Sequence, residues 1–556
     1  MIIKIICSQR IESEIDYQRG HNKKLLQYEN NLERGKEMRK QKKYISIIVL
    51  VAFLLIIVNV PVLAAEVQDG LETATNGIQQ LFAPDDKAAE LVQPLAESKT
   101  SGVCGENATW TFADGVLTIS GTGAMDDYRV YGMLGDDRPW SKFGDDIKKV
   151  IIENGITKIG TNSFDHLYSL EYVLIPKSVI ETGDGIFEKC DLLKTAGPVG
   201  SNCNIEYGWN SSIPNEAFIY CDNLVSIILP NHLKSIGNQA FSYCTNLKNI
   251  ILPETVENIG FGAFSDCKSL EEFIIPDGVK VIEGITFLGC SKLQNIVLPD
   301  SIIEMKPRVF EGCISLESVD LPKNISYIGS DMFYNCTNLK QIDIPESVLW
   351  IGAHAFDSCD KLQRIEIPSN VAKIYLDAFS GCDQLSHVII KSDNLEFSGW
   401  AFDKDPLLET AGPIGGGYNI EFAWTKKVPG GAFACFDYSG LKEVTLPDTI
   451  HSIGENAFVY CDKLTSITFP KELTEIKRSA FYGCKNLNSV YFTGNAPRID
   501  QSSFDNVITT AYYPDNNKTW SDDILRDYGG DITWVPYKTT DPIAPEEPID
   551  PSNPSS

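Results

Sequence analysis

The sequence predicts a right-handed repeat solenoid with a parallel β-sheet on its concave face. Three observations carry this expectation. Phenylalanine recurs at 164, 187, 218, 241, 264, 287, 310, 333, 356, 379, 402, 433, 458, 481 and 504, and eleven of these 14 intervals are 23 residues long. A short Leu-x-x-Ile-x-Leu-Pro pattern returns in register with it, and cysteine follows phenylalanine by three residues in eleven units. A fixed period of this length is the signature of stacked coils.

One unit reads Ile236-Gly237-Asn-Gln-Ala240-Phe241-Ser-Tyr-Cys244-Thr-Asn-Leu247-Lys-Asn-Ile250-Ile-Leu252-Pro253. Ile250 and Leu252 alternate as in a short strand with one buried face. Pro253 ends it, because proline has no N–H for a ladder. Gly237 and Ala240 are small residues beside large ones, as a tight coil requires. A single such coil cannot bury its own apolar side, but stacked coils bury one continuous core. At about 4.8 Å per strand, fifteen coils give a rod on the order of 70 Å long.

The unit Ile-Gly-x-x-Ala-Phe-x-x-Cys-x-x-Leu-x-x-Ile-x-Leu-Pro resembles the repeat of the BspA-like leucine-rich-repeat proteins of bacterial and protozoan surfaces, over roughly 155–504. Ser101–Phe112 with Gly115–Gly123 is similar to that family's N-terminal hairpin cap, and Tyr512–Trp520 with Ile532–Pro536 to its C-terminal closure. The resemblance implies a secreted or surface-displayed protein that attaches to host, matrix or cell-surface proteins. The segments expected are a leader with signal peptide at 1–65, a linker at 66–100, a β cap at 101–150, repeats at 151–510, a C-terminal cap at 511–537 and a Pro-rich acidic linker at 538–556.

The leader has the basic, apolar and small-residue order of a secretory signal: Arg39 to Lys43, Ile45 to Val58, then Ala64-Ala65. Met38 opens a signal peptide of ordinary length, so translation is expected to begin there. The net charge is −27, yet residues 1–43 carry eleven Lys/Arg against six Asp/Glu, so the remainder is more acidic still. Such a body repels nucleic acid, and no partner of that kind is expected.

Chemistry is sparse. The six histidines are scattered, and neither His-Glu-x-x-His, Gly-x-Ser-x-Gly nor a phosphate loop occurs. No Cys-x-x-Cys offers zinc a chelating pair. Stacked cysteines have parallel Cβ vectors, unsuited to disulfides, and read as buried free thiols. Neither a catalytic set nor a cofactor or metal site is expected.

Two units depart from the period alike. Thr195-Ala-Gly-Pro with Asn204-Ile-Glu-Tyr-Gly-Trp209 matches Thr410-Ala-Gly-Pro with Asn419-Ile-Glu-Phe-Ala-Trp424. These insertions are expected to bulge from one face and to present loops around Trp209 and Trp424 that serve either for binding or as spacers.

The strand position between the two core residues should face outward from the concave sheet. It reads Ile228, Ile251, Ile274 and Val297, followed by Asp320, Asp343 and Glu366. These residues are the candidate partner-binding surface: an apolar half and an acidic half, suited to a basic-and-aliphatic protein segment or a cation. The alternatives are a targeting arm of a larger secreted or wall-associated enzyme and a glycan-binding module, for which Tyr491 and Tyr172 supply concave aromatics.

Overall fold

Each coil carries its backbone through three parallel tracks, and each track bonds to the same track in the neighbouring coils. The computed structural model describes residues 100–131, 135–183, 185–435 and 440–538, which belong to the compact unit Ser98–Ser556. The expected leader and all but the ends of the expected linkers lie outside the described residues. Among the described residues no helix is long and apolar enough to cross a membrane.

The first track is the concave strand. Arg364–Ile367 pairs in parallel with His387–Ile390, with Arg364 opposite His387 and Ile367 opposite Ile390. Ile365 and Ile367 point into the core while Arg364 and Glu366 point out, the period-two alternation read from the sequence. The second track is a two-residue strand. Tyr327–Ile328, Trp350–Ile351, Lys373–Ile374 and Glu396–Phe397 form one such parallel sheet. The glycine after this isoleucine is a matter of space: a Cβ on Gly237 would lie 2.4 Å from the Asn215 nitrogen of the preceding coil.

The third track carries phenylalanine. Gln239, Phe241 and Tyr243 donate their N–H groups to the carbonyls of Phe261, Ala263 and Ser265, each at 2.8 Å. In most coils the residues two before and two after phenylalanine take left-handed φ, as at Gln239 (53°) and Tyr243 (61°). Even Ile285 does so at 51°, a conformation that a β-branched side chain adopts only when its surroundings enforce it.

Inside, the rings stack. Phe333 and Phe379 each lie 5.2 Å from Phe356, within 7° of parallel. Among the described residues the cysteines are free and, apart from Cys203, buried, and they do more than fill space. Apart from Cys221, which follows the first insertion, the ladder thiols donate to a phenylalanine carbonyl of the preceding coil, as Cys267 to Phe241, Cys290 to Phe264 and Cys313 to Phe287, all at 3.2 Å. Burial holds the Cys267 and Cys313 thiols well above their ordinary pKa, which suppresses the reactive thiolate.

At the N-terminal end, strands Ala108–Ala113 and Val116–Gly121 form the hairpin cap. Asp114 and Gly115, at φ 50° and 79°, give the two-residue turn whose twist suits flanking strands. Val116–Gly121 then pairs in parallel with Lys149–Ile152 and so starts the concave sheet. Trp140 takes the place of a core phenylalanine, 6.0 Å from Phe164. At the other end Ile508–Pro514 and Asp531–Tyr537 pair over their full lengths, and Trp520 packs edge-on to Phe492 at 4.8 Å.

The insertions correct the expectation that Trp209 and Trp424 sit in displayed loops. Ile205–Tyr207 lies in the concave sheet between Tyr172–Ile175 and Thr195–Pro198, parallel to both. Ile420–Phe422 is intercalated in the same way between His387–Ile390 and Thr410–Pro413. Each insertion therefore adds a strand to the sheet without adding a coil. Trp209 and Trp424 are buried; they leave the new strands toward the core, and Trp209 Nε1 donates to the Val179 carbonyl at 2.7 Å. The shared motif is the fastening. Asn204 Oδ1 accepts from Lys194 N and Thr195 Oγ1, and its Nδ2 reaches the Glu171 carbonyl at 2.9 Å. Asn419 repeats this with Thr410 and the Ser386 carbonyl.

Replacing Phe310 by Ala should cost about 3–5 kcal/mol, the usual loss for an emptied aromatic core site. Hydrogen exchange should show that loss mainly in the coils of Phe287 and Phe333, because solenoid contacts are nearest-neighbour. Uniform loss from end to end would contradict the stacked arrangement. Cys290→Ser keeps a donor for the Phe264 carbonyl but shortens its reach. It should cost about 1–3 kcal/mol, read as a shift in the denaturation midpoint.

Candidate functional site

Because the core side of each concave strand is fully used, the residues between the core positions are free to face outward. Ile228, Ile251, Ile274 and Val297 do so, with exposures of 54%, 86%, 65% and 56%. Ile274 and Val297 are direct neighbours in the ladder. Four adjacent aliphatics at this exposure form an apolar stripe of the kind that marks interaction surfaces.

Asp320 and Asp343 continue the stripe. Both are exposed, and among the described residues neither has an ion-pair or hydrogen-bond partner. Their strands are joined by little: the bridge between Ser318 and Gln341 is the ladder contact there. Like charges on adjacent strands disfavour pairing modestly.

Glu366 differs from the other two. Lys391 Nζ contacts its carboxylate, and Arg364 Nη2 stands 3.9 Å away. The expected file of three open carboxylates is therefore two open ones followed by a neutralised one. A signal for this existed in the sequence. Lys391 occupies the position that Pro345 and Pro368 hold in the two preceding coils, so the cation stands beside the strand one repeat further on.

The extra strands bring two carboxylates to this face that the sequence reading missed. Glu206 accepts from Tyr172 Oη at 3.0 Å and Asn202 N at 2.8 Å. Burial raises its pKa, but the Gly200 and Asn202 N–H groups with the Tyr172 hydroxyl outweigh that and hold it below the usual glutamate range. Glu421 accepts from Gly415 N at 3.1 Å and Gly417 N at 2.8 Å. The Gly415 N–H leads in lowering its pKa, burial opposes, and the Gly417 N–H and His387 add to the lowering. Both carboxylates are occupied in fastening their own loops. Those loops cross back over the concave sheet, which explains the glycine beneath. A Cβ on Gly412 would sit 2.2 Å from the Tyr418 ring, and one on Gly197 2.5 Å from Ser201 Oγ.

At the far end Tyr491 stacks on Tyr512 at 4.8 Å; Tyr512 was not foreseen. The two rings are within 9° of parallel, so each covers one face of the other. The Tyr172 hydroxyl is already engaged by Glu206. These aromatics give little platform for a sugar. Among the described residues no group of three or more His, Cys, Asp or Glu is placed to hold a metal ion.

Comparison with known proteins gives the context of this face. The repeat profile described as BspA type leucine rich repeat region matches residues 142–205, 211–325, 286–409 and 432–528, in six copies. A leucine-rich repeat protein from Bacteroides ovatus is similar at 25% identity, covering 78% of this chain and 99% of its own, with a TM-score of 0.50. A leucine rich cell surface protein from Faecalibacterium prausnitzii aligns at 20% identity over 76% of this chain and 97% of its own, with a TM-score of 0.32. The pneumococcal vaccine antigen PcpA aligns at 17% identity over 78% of this chain and 98% of its own, with a TM-score of 0.39. None of the curated proteins matches.

Glu421→Gln should speed amide exchange at Gly415 and Gly417 without unfolding the stack, because the amide has one acceptor oxygen, so one charge-assisted bond becomes ordinary and the other is lost. The parent should show the same loosening in acid. A carboxyl with a depressed folded pKa contributes fully above its unfolded value, about 4.3, and the contribution is lost as pH falls through the folded value. Exchange at these amides that was indifferent to both changes would show that the carboxylate does not fasten the loop.

Proposed function

The chain belongs to the BspA-type leucine-rich-repeat family, and from that premise we propose that it is a non-enzymatic, exported binding and adhesion protein whose ligand lies along the concave sheet. The observation that carries this reading is the unbroken outward file of Ile228, Ile251, Ile274 and Val297, continued by the unpaired Asp320 and Asp343. The fold does not need isoleucine at these exposed positions, and adjacent like charges work against it.

The ligand is an extracellular or cell-surface polypeptide that presents aliphatic side chains to the first half of the groove and Lys or Arg to the second. The charge balance fits, since the body carries a large acidic excess that draws a basic partner in and repels nucleic acid. Glu366 marks the end of the acidic section, where Lys391 and Arg364 turn the surface cationic. Trp209 and Trp424, being buried, contribute only by fixing the two extra strands. Export rests on the basic, apolar and small-residue order between Arg39 and Ala65, and places the protein in the medium or on the cell surface or wall.

The secreted protein, screened against matrix and cell-surface proteins, should bind at least one of them. For that partner, Ile251→Ser with Ile274→Ser should weaken binding about tenfold or more, with an unchanged salt slope. Asp320→Asn with Asp343→Asn should weaken binding and flatten its salt dependence, while leaving the free protein as stable as the parent. Parent-like affinity for every identified partner in both variants would rule out the groove.

A further inference from the structure

The thiol column has one rung where a carboxyl stands in place of sulfur. Asp405 occupies the cysteine position of its coil and is 1% exposed. On an ordinary rung one phenylalanine carbonyl accepts twice. Phe333 O takes the Cys336 N–H at 3.0 Å and the Cys359 thiol of the next coil at 3.3 Å. At Phe379 both bonds are missing. The Cys382 N–H goes instead to Asp405 Oδ1 at 2.8 Å, and among the described residues no donor reaches Phe379 O. Asp405 Oδ2 is buried and has no partner either. A buried carbonyl and a buried carboxyl oxygen, each without a donor, make a costly pair. One proton on Oδ2 would satisfy both.

We propose that Asp405 is held as an uncharged carboxylic acid that donates from Oδ2 to the Phe379 carbonyl, and that its ionisation loosens this coil, making it a pH-responsive joint in the stack. The surroundings favour the neutral form. Cys382 and Asp383 face it from the preceding coil, Cys435 from the following one, and Asp403 from its own. Lys404 is its neighbour along the chain. Burial first, then Cys435, Asp403 and Asp383, push its pKa well above the usual carboxylate range, and the Cys382 N–H pulls the other way. With the folded value raised, the bond is fully present below the unfolded pKa of about 3.9 and is lost as pH rises through the folded one.

The position gives this local event an outlet. Asp405 lies five residues before the strand Thr410–Pro413, which carries the second insertion. The thiol column does not resume in the next coil, where Cys435 turns to Phe433 O of its own coil at 3.3 Å. A loosened rung at Asp405 therefore meets no compensating rung on that side, and the movement passes into the concave sheet.

The test compares the full secreted chain with Asp405→Asn and Asp405→Cys by hydrogen exchange between pH 5 and pH 8, corrected for intrinsic rates. Asparagine copies both bonds, accepting at Oδ1 and donating from Nδ2, but does not titrate. Cysteine restores the ordinary rung. In the parent, exchange in the coil from Phe379 to Phe433 should accelerate with pH by up to about tenfold per unit, the limit for one proton. Both variants should remain flat. A parent that stays flat would overturn the proposal. So would a pH response retained in the variants, which would assign it to Asp403 or Asp383. If the asparagine chain fails to fold, the cysteine chain alone decides.

Discussion

Neighbouring coils lie one strand spacing apart, about 4.8 Å, and everything between them must repeat at that interval. Phenylalanine rings meet it by lying nearly parallel, 5.2 Å apart in the middle of the stack. Gly237 meets it by having no side chain where the preceding backbone passes. Cysteine meets it by being small and by offering one donor to the coil behind. The left-handed residues that flank each phenylalanine are the cost of turning the backbone tightly enough to hold the spacing, and Ile285 shows that the stack can impose that turn on an unsuitable side chain.

With the interior settled by this repetition, the outward residues of the concave strands carry no packing duty, and their chemistry can vary from coil to coil. That freedom is visible in the change from aliphatic at Ile228–Val297 to anionic at Asp320 and Asp343, and then to the ion-paired group of Arg364, Glu366 and Lys391. Glu206 and Glu421 show the opposite case. They share the face, yet the backbone N–H groups of their own loops consume their acceptor capacity. The same residue type on one surface thus serves either as open charge or as a fastener, according to what the local backbone presents to it.

The period, the strand register and the division into core and outward positions were legible in the sequence because each coil states them again. Features that occur once or twice were not. The insertions announced themselves by length and by the Thr, Asn, Glu and Trp they share, but their placement as an intercalated strand depends on the strands on both sides at once. Neutralisation of Glu366 by Lys391 depends on a contact between coils that the pattern of one repeat does not contain. The cysteines were read correctly as buried and free, but their hydrogen bonds reach back 26 residues to an acceptor that only stacking brings near. Asp405 stands in the sequence as a plain exception to the cysteine pattern. Its meaning lay in the two missing bonds at Phe379.

The direction of the thiol bonds has a consequence for how the chain matures. Apart from Cys435, the sulfurs that bond a phenylalanine carbonyl reach toward the N-terminus, to Phe164 from Cys190 and so on to Phe458 from Cys484. A chain threaded N-terminus first through a narrow exit thus meets each acceptor already built when the matching sulfur emerges. Until then a thiol has an ordinary pKa near 8.5 and is open to oxidants and to wrong pairing with its many sisters. Once the coil closes, the sulfur is withdrawn from both. Protection from oxidative cross-linking therefore proceeds in the order of emergence, one rung at a time, and the chain never needs to hide all its thiols in a single step.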